Sequence, residues 1–186
     1  MKRLILSLSL ALSLPLAAHA AEFSQVQADK SAINFAYKQM GVTMDGKFRK
    51  FTAQLNFDPA KPATAKAVID VELASIDTGS SEADQEVLGK QWFNTKATPL
   101  AHFESASVKA LGGNRFEAAG KLTIKGRTKD IVAPLTFTPQ GKQGAFDGSF
   151  SFKRADFAIG EGEWAAFDIV ANEIQIKFHI LANPGK

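Results

Sequence analysis

Few residues in this sequence are equipped for covalent chemistry. Its three histidines, His19, His102 and His179, lie far apart along the chain. There is no cysteine, which excludes thiol nucleophiles, disulfides and thiolate zinc sites. No His pair and no carboxylate cluster stands at metal-ligand spacing. Neither a G-x-S-x-G elbow nor a glycine loop built to cradle phosphate is present. Glu161 and Glu163 sit in the turn-forming run Gly160-Glu161-Gly162-Glu163, with no nucleophile and no orienting partner beside them. The expectation is a protein that is not an enzyme and carries no metal or cofactor.

Arg154 and Asp156 are better placed for a role. They open the glycine-punctuated stretch that runs to Trp164, and loops at the end of a sheet are where binding residues gather. Two roles stand side by side. The pair holds the loop together, or Arg154 contacts the polar head of a ligand. The remaining chemistry is apolar. The chain has 15 Phe but one Tyr, Tyr37, and two Trp, Trp92 and Trp164. Phenylalanine has no polar handle, so this aromatic mass is built for dry surroundings, either a plain core or the lining of an apolar pocket.

The elements that position these residues alternate with period two. Gly41 to Pro59 reads as one long strand that curls at a bulge near Arg49 and Lys50, with Phe51, Ala53, Leu55 and Phe57 on one face. Ser31 to Met40 precedes it, after an irregular lead-in at Phe23 and Val26. Lys66 to Ile76 follows, the cleanest alternation in the chain. Further strands are expected at Leu100 to Leu111, from Phe116 to Ile124, at Thr128 to Thr138, Ala145 to Lys153 and Ile169 to Leu181. Pro134 marks an edge or a local break. The period changes only after Ser81. Glu82 to Gly89 reads as a short helix with capping-box-like spacing from Ser81 to Asp84, pinned as a flap by Trp92 and Phe93. The fold expected is all-β: a single antiparallel barrel of about eight strands with one short helix flap. A two-sheet sandwich is the main alternative. Eight strands enclose room for packed side chains or one small ligand.

Residues 1–20 read as a secretory signal. Lys2 and Arg3 precede an apolar run from Leu4 to Leu16, and Ala18-His19-Ala20 fits the small-x-small cleavage pattern. The run is shorter than the roughly 20 residues that span a bilayer. Cleavage after Ala20 is expected, leaving residues 21–186 as one domain in the periplasm. Without Lys2 and Arg3 the chain carries 20 basic against 19 acidic residues. That near-neutral balance argues against a nucleic-acid partner.

Several runs carry a family likeness. They are Gly41 with Gly46-Lys47-Phe48 and Phe51, Phe57-Asp58-Pro59, Ser75-Ile76-Asp77-Thr78-Gly79, Trp92-Phe93 and Phe103-Glu104-Ser105. Two longer runs complete it, Gly120-Lys121-Leu122-Thr123-Ile124-Lys125-Gly126 and Arg154-Ala155-Asp156-Phe157-Ala158-Ile159-Gly160. In this order and spacing the chain resembles the YceI-like lipid- and polyisoprenoid-binding proteins. The resemblance implies a lipocalin-like barrel, usually exported, that takes an isoprenoid, isoprenoid quinone or fatty chain without catalysis. It also implies a cytochrome b-type membrane partner. Gln39 and Ala83 depart from the His and Arg that many members carry, which bears on head-group preference. The residues expected to line the ligand are Phe35, Tyr37, Met40, Met44, Phe48, Phe51, Leu55, Val71, Phe116 and Phe150. Arg154, Asp156 and Trp164 are expected at the barrel mouth.

Overall fold

Period-two alternation organises the backbone into one antiparallel sheet that curls on itself. The structure, a computed structural model, describes residues 22–185. The expected signal segment and its cleavage point lie outside them. In chain order the elements are β1 (Phe23–Val26), β2 (Ala32–Gln39), β3 (Val42–Phe48), β4 (Phe51–Asn56), β5 (Lys66–Glu72) and β6 (Ile76–Asp77). Helix α1 (Ser81–Val87) follows, then β7 (Leu100–Gly112), β8 (Arg115–Ile124), β9 (Arg127–Gln140), β10 (Gln143–Lys153) and β11 (Glu173–Pro184). The sheet order is β4-β5-β7-β8-β9-β10-β11-β2-β3-β6, with β1 beside β2 on the same edge of β11.

Described residues thus form eleven strands, where the pattern predicted eight. Two of the extra strands are short: β1, read as an irregular lead-in, and the two-residue β6. The third comes from Gly41 to Pro59, which is not one bulged strand. Its halves pair at opposite ends of the sheet, β3 with β2 and β4 with β5. The break falls at Arg49 and Lys50, the suspected bulge. Buried Ser75 staples it there. Its carbonyl accepts from Arg49 N–H at 3.0 Å and its Oγ accepts from Lys50 N–H at 3.0 Å. The other end of the barrel closes where β1 meets the residue after β4. Phe23 and Phe57 exchange backbone hydrogen bonds of 2.8 and 3.0 Å.

The helix flap starts one residue earlier than expected, at Ser81. Ser80, not Ser81, caps α1, its side chain accepting from Ala83 N–H. Asp84 turns back to take Thr78 N–H at 2.7 Å and Thr78 Oγ1–H at 2.8 Å. Pro134 lies on an interior strand, beside a local break. The β9–β10 ladder stops at Leu135 and Gly148, one residue short of the proline. The wall beyond is filled by the 3-10 turn Arg154–Phe157, whose Phe157 is fully buried and stacks edge-on against Phe152 at 5.2 Å.

The aromatic residues divide into two groups. Phe23, Phe57, Phe116, Phe137 and Phe146 form a dense cluster, in which Phe57 meets Phe116, Phe137 and Phe146 at 5.0–5.1 Å. Other rings lie flat against the wall because a glycine on the neighbouring strand makes room. Phe35 covers Gly46, Phe103 covers Gly120 and Phe178 covers Gly148. A Cβ at any of these glycines would collide with the ring and approach a backbone carbonyl: 2.7 Å from Asp77 O at Gly46, 2.6 Å from Pro134 O at Gly148. Replacing Gly148 with alanine is expected to destabilise the protein by about 1–3 kcal/mol, the range for overpacking a fitted interior. Urea unfolding checks this, and an unchanged midpoint would show that the wall has slack at Phe178.

Candidate ligand-binding site

The flattened rings leave the upper barrel hollow. A cavity of about 530 Å³ runs down the inside, lined almost wholly by apolar atoms. Alternation supplies its walls. Ile33, Phe35, Tyr37 and Gln39 of β2 face it, as do Ile174, Ile176, Phe178 and Ile180 of β11. Small inward residues, Ala53, Ala67, Ala101, Ala118 and Ala133, keep the lumen open on the opposite wall. Phe146 of the phenylalanine cluster contributes to the lining at the inner end. Apart from Gln54 of β4, polar side chains gather at the other end, where Tyr37, Gln39, Thr78, Glu82, Glu86 and Trp164 border the cavity beside α1.

Arg154 organises that mouth. Its side chain is 0% exposed. Nη1 donates to the carbonyls of Ile159 and Gly160, both at 2.8 Å, and Nη2 to those of Trp164 at 2.7 Å and Val170 at 2.9 Å. Nε donates to Ala171 O at 3.2 Å. The guanidinium also stacks on Trp92, 5.7 Å from the ring centre, and on Phe167 at 5.1 Å. Gly160, at φ +75°, is the only residue type that fits, since a Cβ there would strike Nη1. Burial pulls the guanidinium pKa down from its ordinary value, and the ring of carbonyl acceptors offsets that cost. Lys125 is a second anchor, donating to Ala158 O at 2.6 Å and to Glu161 Oε2 at 2.9 Å. That bond is the main reason the Glu161 carboxyl lies below the usual range. It is a surface group anchored by that bond. A clasp joins loop to flap: Trp164 Nε1–H donates to Glu86 Oε1 at 3.0 Å.

The expected site residues are thus only partly brought together. Phe35, Tyr37, Phe48, Leu55, Val71, Phe150, Arg154 and Trp164 border the cavity. Phe116 belongs to the buried phenylalanine cluster, and Phe51 packs against both cores. Met44 is half-buried on β3 and outside the lining. Met40 is 72% exposed at the β2–β3 turn, where its φ of 49° takes it out of the strand phase. Asp156 is exposed and makes no ion pair with Arg154, whose donors go to main-chain carbonyls instead. Arg154 holds the loop, but not through the expected pair. Sequence reasoning missed Thr78, Glu82 and Glu86 at the mouth. Gln39 was legible, since it continues the Phe35–Tyr37 face by two residues.

Neither remaining histidine enters the cavity lining. His102 pairs with Asp70 at 2.7 Å and His179 with Asp147 at 2.6 Å, each across neighbouring strands. Among the described residues, no group of three or more His, Cys, Asp or Glu is placed to hold a metal. None of their helices is long and apolar enough to cross a membrane.

A curled antiparallel sheet around an apolar cavity is the architecture of the small-ligand β-barrels. The sequence pattern of the YceI-like domain matches residues 25–182. A UPF0312 protein of Azotobacter vinelandii is 32% identical over 134 residues, covering 68% of this chain and 70% of the relative. Another from Vibrio cholerae is 31% identical over 169 residues, 86% of this chain and 89% of the relative. The crystal structure of Burkholderia cenocepacia BcnA superposes with a TM-score of 0.83 at 42% identity, over 86% of this chain and 100% of that one. A polyisoprenoid-binding domain from Saccharophagus degradans shares the fold at a TM-score of 0.66 and 14% identity, over 90% of this chain and all of its own (100%). This chain belongs to the YceI-like family.

Replacing Arg154 with lysine keeps the charge but cannot reproduce the fan of donors. Several carbonyls would lose their partner, at a cost of about 3 kcal/mol. Urea unfolding of Arg154→Lys measures it. A variant as stable as the parent would show that the loop closes without the guanidinium.

Proposed function

We propose that this protein is an exported carrier that sequesters one long apolar molecule and performs no covalent chemistry on it. The observation that carries this reading is the 530 Å³ apolar cavity. That volume falls in the range of about 300–1,000 Å³ found for small-ligand sites. Each methylene buried there contributes about 0.8 kcal/mol, so one extended chain offsets the entropy of association. The ligand class is an isoprenoid, an isoprenoid quinone or a fatty chain. The Saccharophagus degradans domain that shares this fold is described as binding polyisoprenoid, which supports the isoprenoid members of that class. The polar mouth and apolar inner end orient the molecule with its tail inward. Periplasmic location, after cleavage at Ala20, and exchange with a cytochrome b-type membrane partner belong to the same proposal.

Native mass spectrometry of the mature protein, purified from its own compartment without detergent, tests it. A discrete added mass that extracts into solvent as an isoprenoid, quinone or fatty chain is the expected result. A bare protein that also takes up none of these chains in vitro would overturn the carrier reading. The half-buried Ala53 lines the lumen. Replacing it with phenylalanine is expected to abolish capture while the protein stays folded, as circular dichroism would report.

A further inference from the structure

The charges at the mouth restrict which head group fits. Among the described residues that line the cavity, the charged ones are Glu82, Glu86 and Arg154. Arg154 would be the natural receptor for a phosphate or carboxylate. It is not available. Its N–H groups are spent on the carbonyls of Ile159, Gly160, Trp164, Val170 and Ala171, at 2.7–3.2 Å, and it has no acceptor and no donor to spare. Lys38 follows Tyr37 and precedes Gln39 on β2, so alternation turns it to the outside. Lys90 lies with the two glutamates in a shallow groove outside the helix, and not in the cavity lining.

Beside the Tyr37 hydroxyl and the Gln39 amide, the mouth offers two carboxylates. Glu86 takes Trp164 Nε1–H on Oε1, leaving Oε2. Glu82 takes Ser80 Oγ–H on Oε2 at 2.9 Å. Its own backbone N–H first, then the Ser80 and Ser81 hydroxyls, hold the Glu82 carboxyl below its usual pKa. Asp84 stands behind them, and the Tyr37 phenol pKa is raised by burial first and by this carboxylate second. The end of the cavity that meets water therefore carries two carboxylates in its lining and no free cation.

We propose that the cavity mouth selects an uncharged or cationic head group that donates hydrogen bonds, such as a hydroxyl, amide or ammonium, and rejects phosphate and carboxylate. This rests on the carrier reading and narrows it: a prenyl alcohol or a long-chain amide or amine fits, whereas a prenyl phosphate or an ionised fatty acid does not. An anion at this mouth meets two like charges and no free cation in the lining, which disfavours it. A cation meets two carboxylates at partly screened range.

Displacement of an apolar fluorescent probe from the mature protein tests the selection. The competitors are an alkyl amine, alcohol and phosphate of one chain length, each below its micelle concentration. The alcohol and amine are expected to compete at least about tenfold better than the phosphate. The amine's lead over the alcohol should shrink as salt is added. Glu82→Gln combined with Glu86→Gln keeps an acceptor for Trp164 and is expected to narrow the amine-to-phosphate ratio. A phosphate that competes as well as the amine, or a ratio that the double variant leaves unmoved, overturns the proposal. If the probe does not enter the protein at all, the carrier reading itself fails and the head-group rule falls with it.

Discussion

A single buried guanidinium holds the working end of this barrel. The β9–β10 ladder ends early, and the wall beyond that point is irregular backbone. Irregular backbone carries carbonyls that need partners once they leave water. Arg154 supplies them from one side chain, tying residues 159–171 into a closed knot. Trp164 leaves that knot to meet Glu86 on the helix flap. The geometry of the mouth therefore rests on one residue that does not itself reach for a ligand. A basic residue at a cavity rim invites assignment as a head-group receptor. Here its N–H donors are taken by main-chain carbonyls.

The second constraint is steric. A barrel rich in phenylalanine would ordinarily fill itself. This one does so at one end only, where five rings pack tilted or edge to face. Further up, glycines at 46, 120 and 148 let Phe35, Phe103 and Phe178 fold down against the neighbouring strand. Alanines on the facing wall add no bulk. The hollow is thus built from the pairing of large and absent side chains across strands. The same pairing protects glycine-bearing strands from the packing loss that glycine brings to a sheet interior.

Much of this was legible from period-two alternation. The inward faces of β5, β8 and β11 fall where Ile69 and Val71, Leu122 and Ile124, and Ile176 and Ile180 placed them. Alternation specifies a face but not a height along the barrel. For that reason Phe116 and Leu55 looked alike, although one is core and the other lines the cavity. Nor does it specify which strands pair. The stretch around Arg49 and Lys50 read as a bulge because local pattern carries no sign that the chain is crossing from one end of the sheet to the other. The fate of Arg154 was the least legible feature. A carboxylate two residues away is visible in sequence, whereas main-chain carbonyls that the chain folds back onto the guanidinium are not.

The account stands or falls on whether an apolar chain lies inside the barrel with its tail toward the phenylalanine cluster. A crystal structure with an alkyl alcohol brominated at its far end measures this directly, because the bromine can be located by its anomalous signal. The account predicts one bromine site beside Phe146 and Leu135 at the inner end, with the hydroxyl near Gln39 and Glu82. A bromine at the mouth, or only on the outer surface, would contradict it.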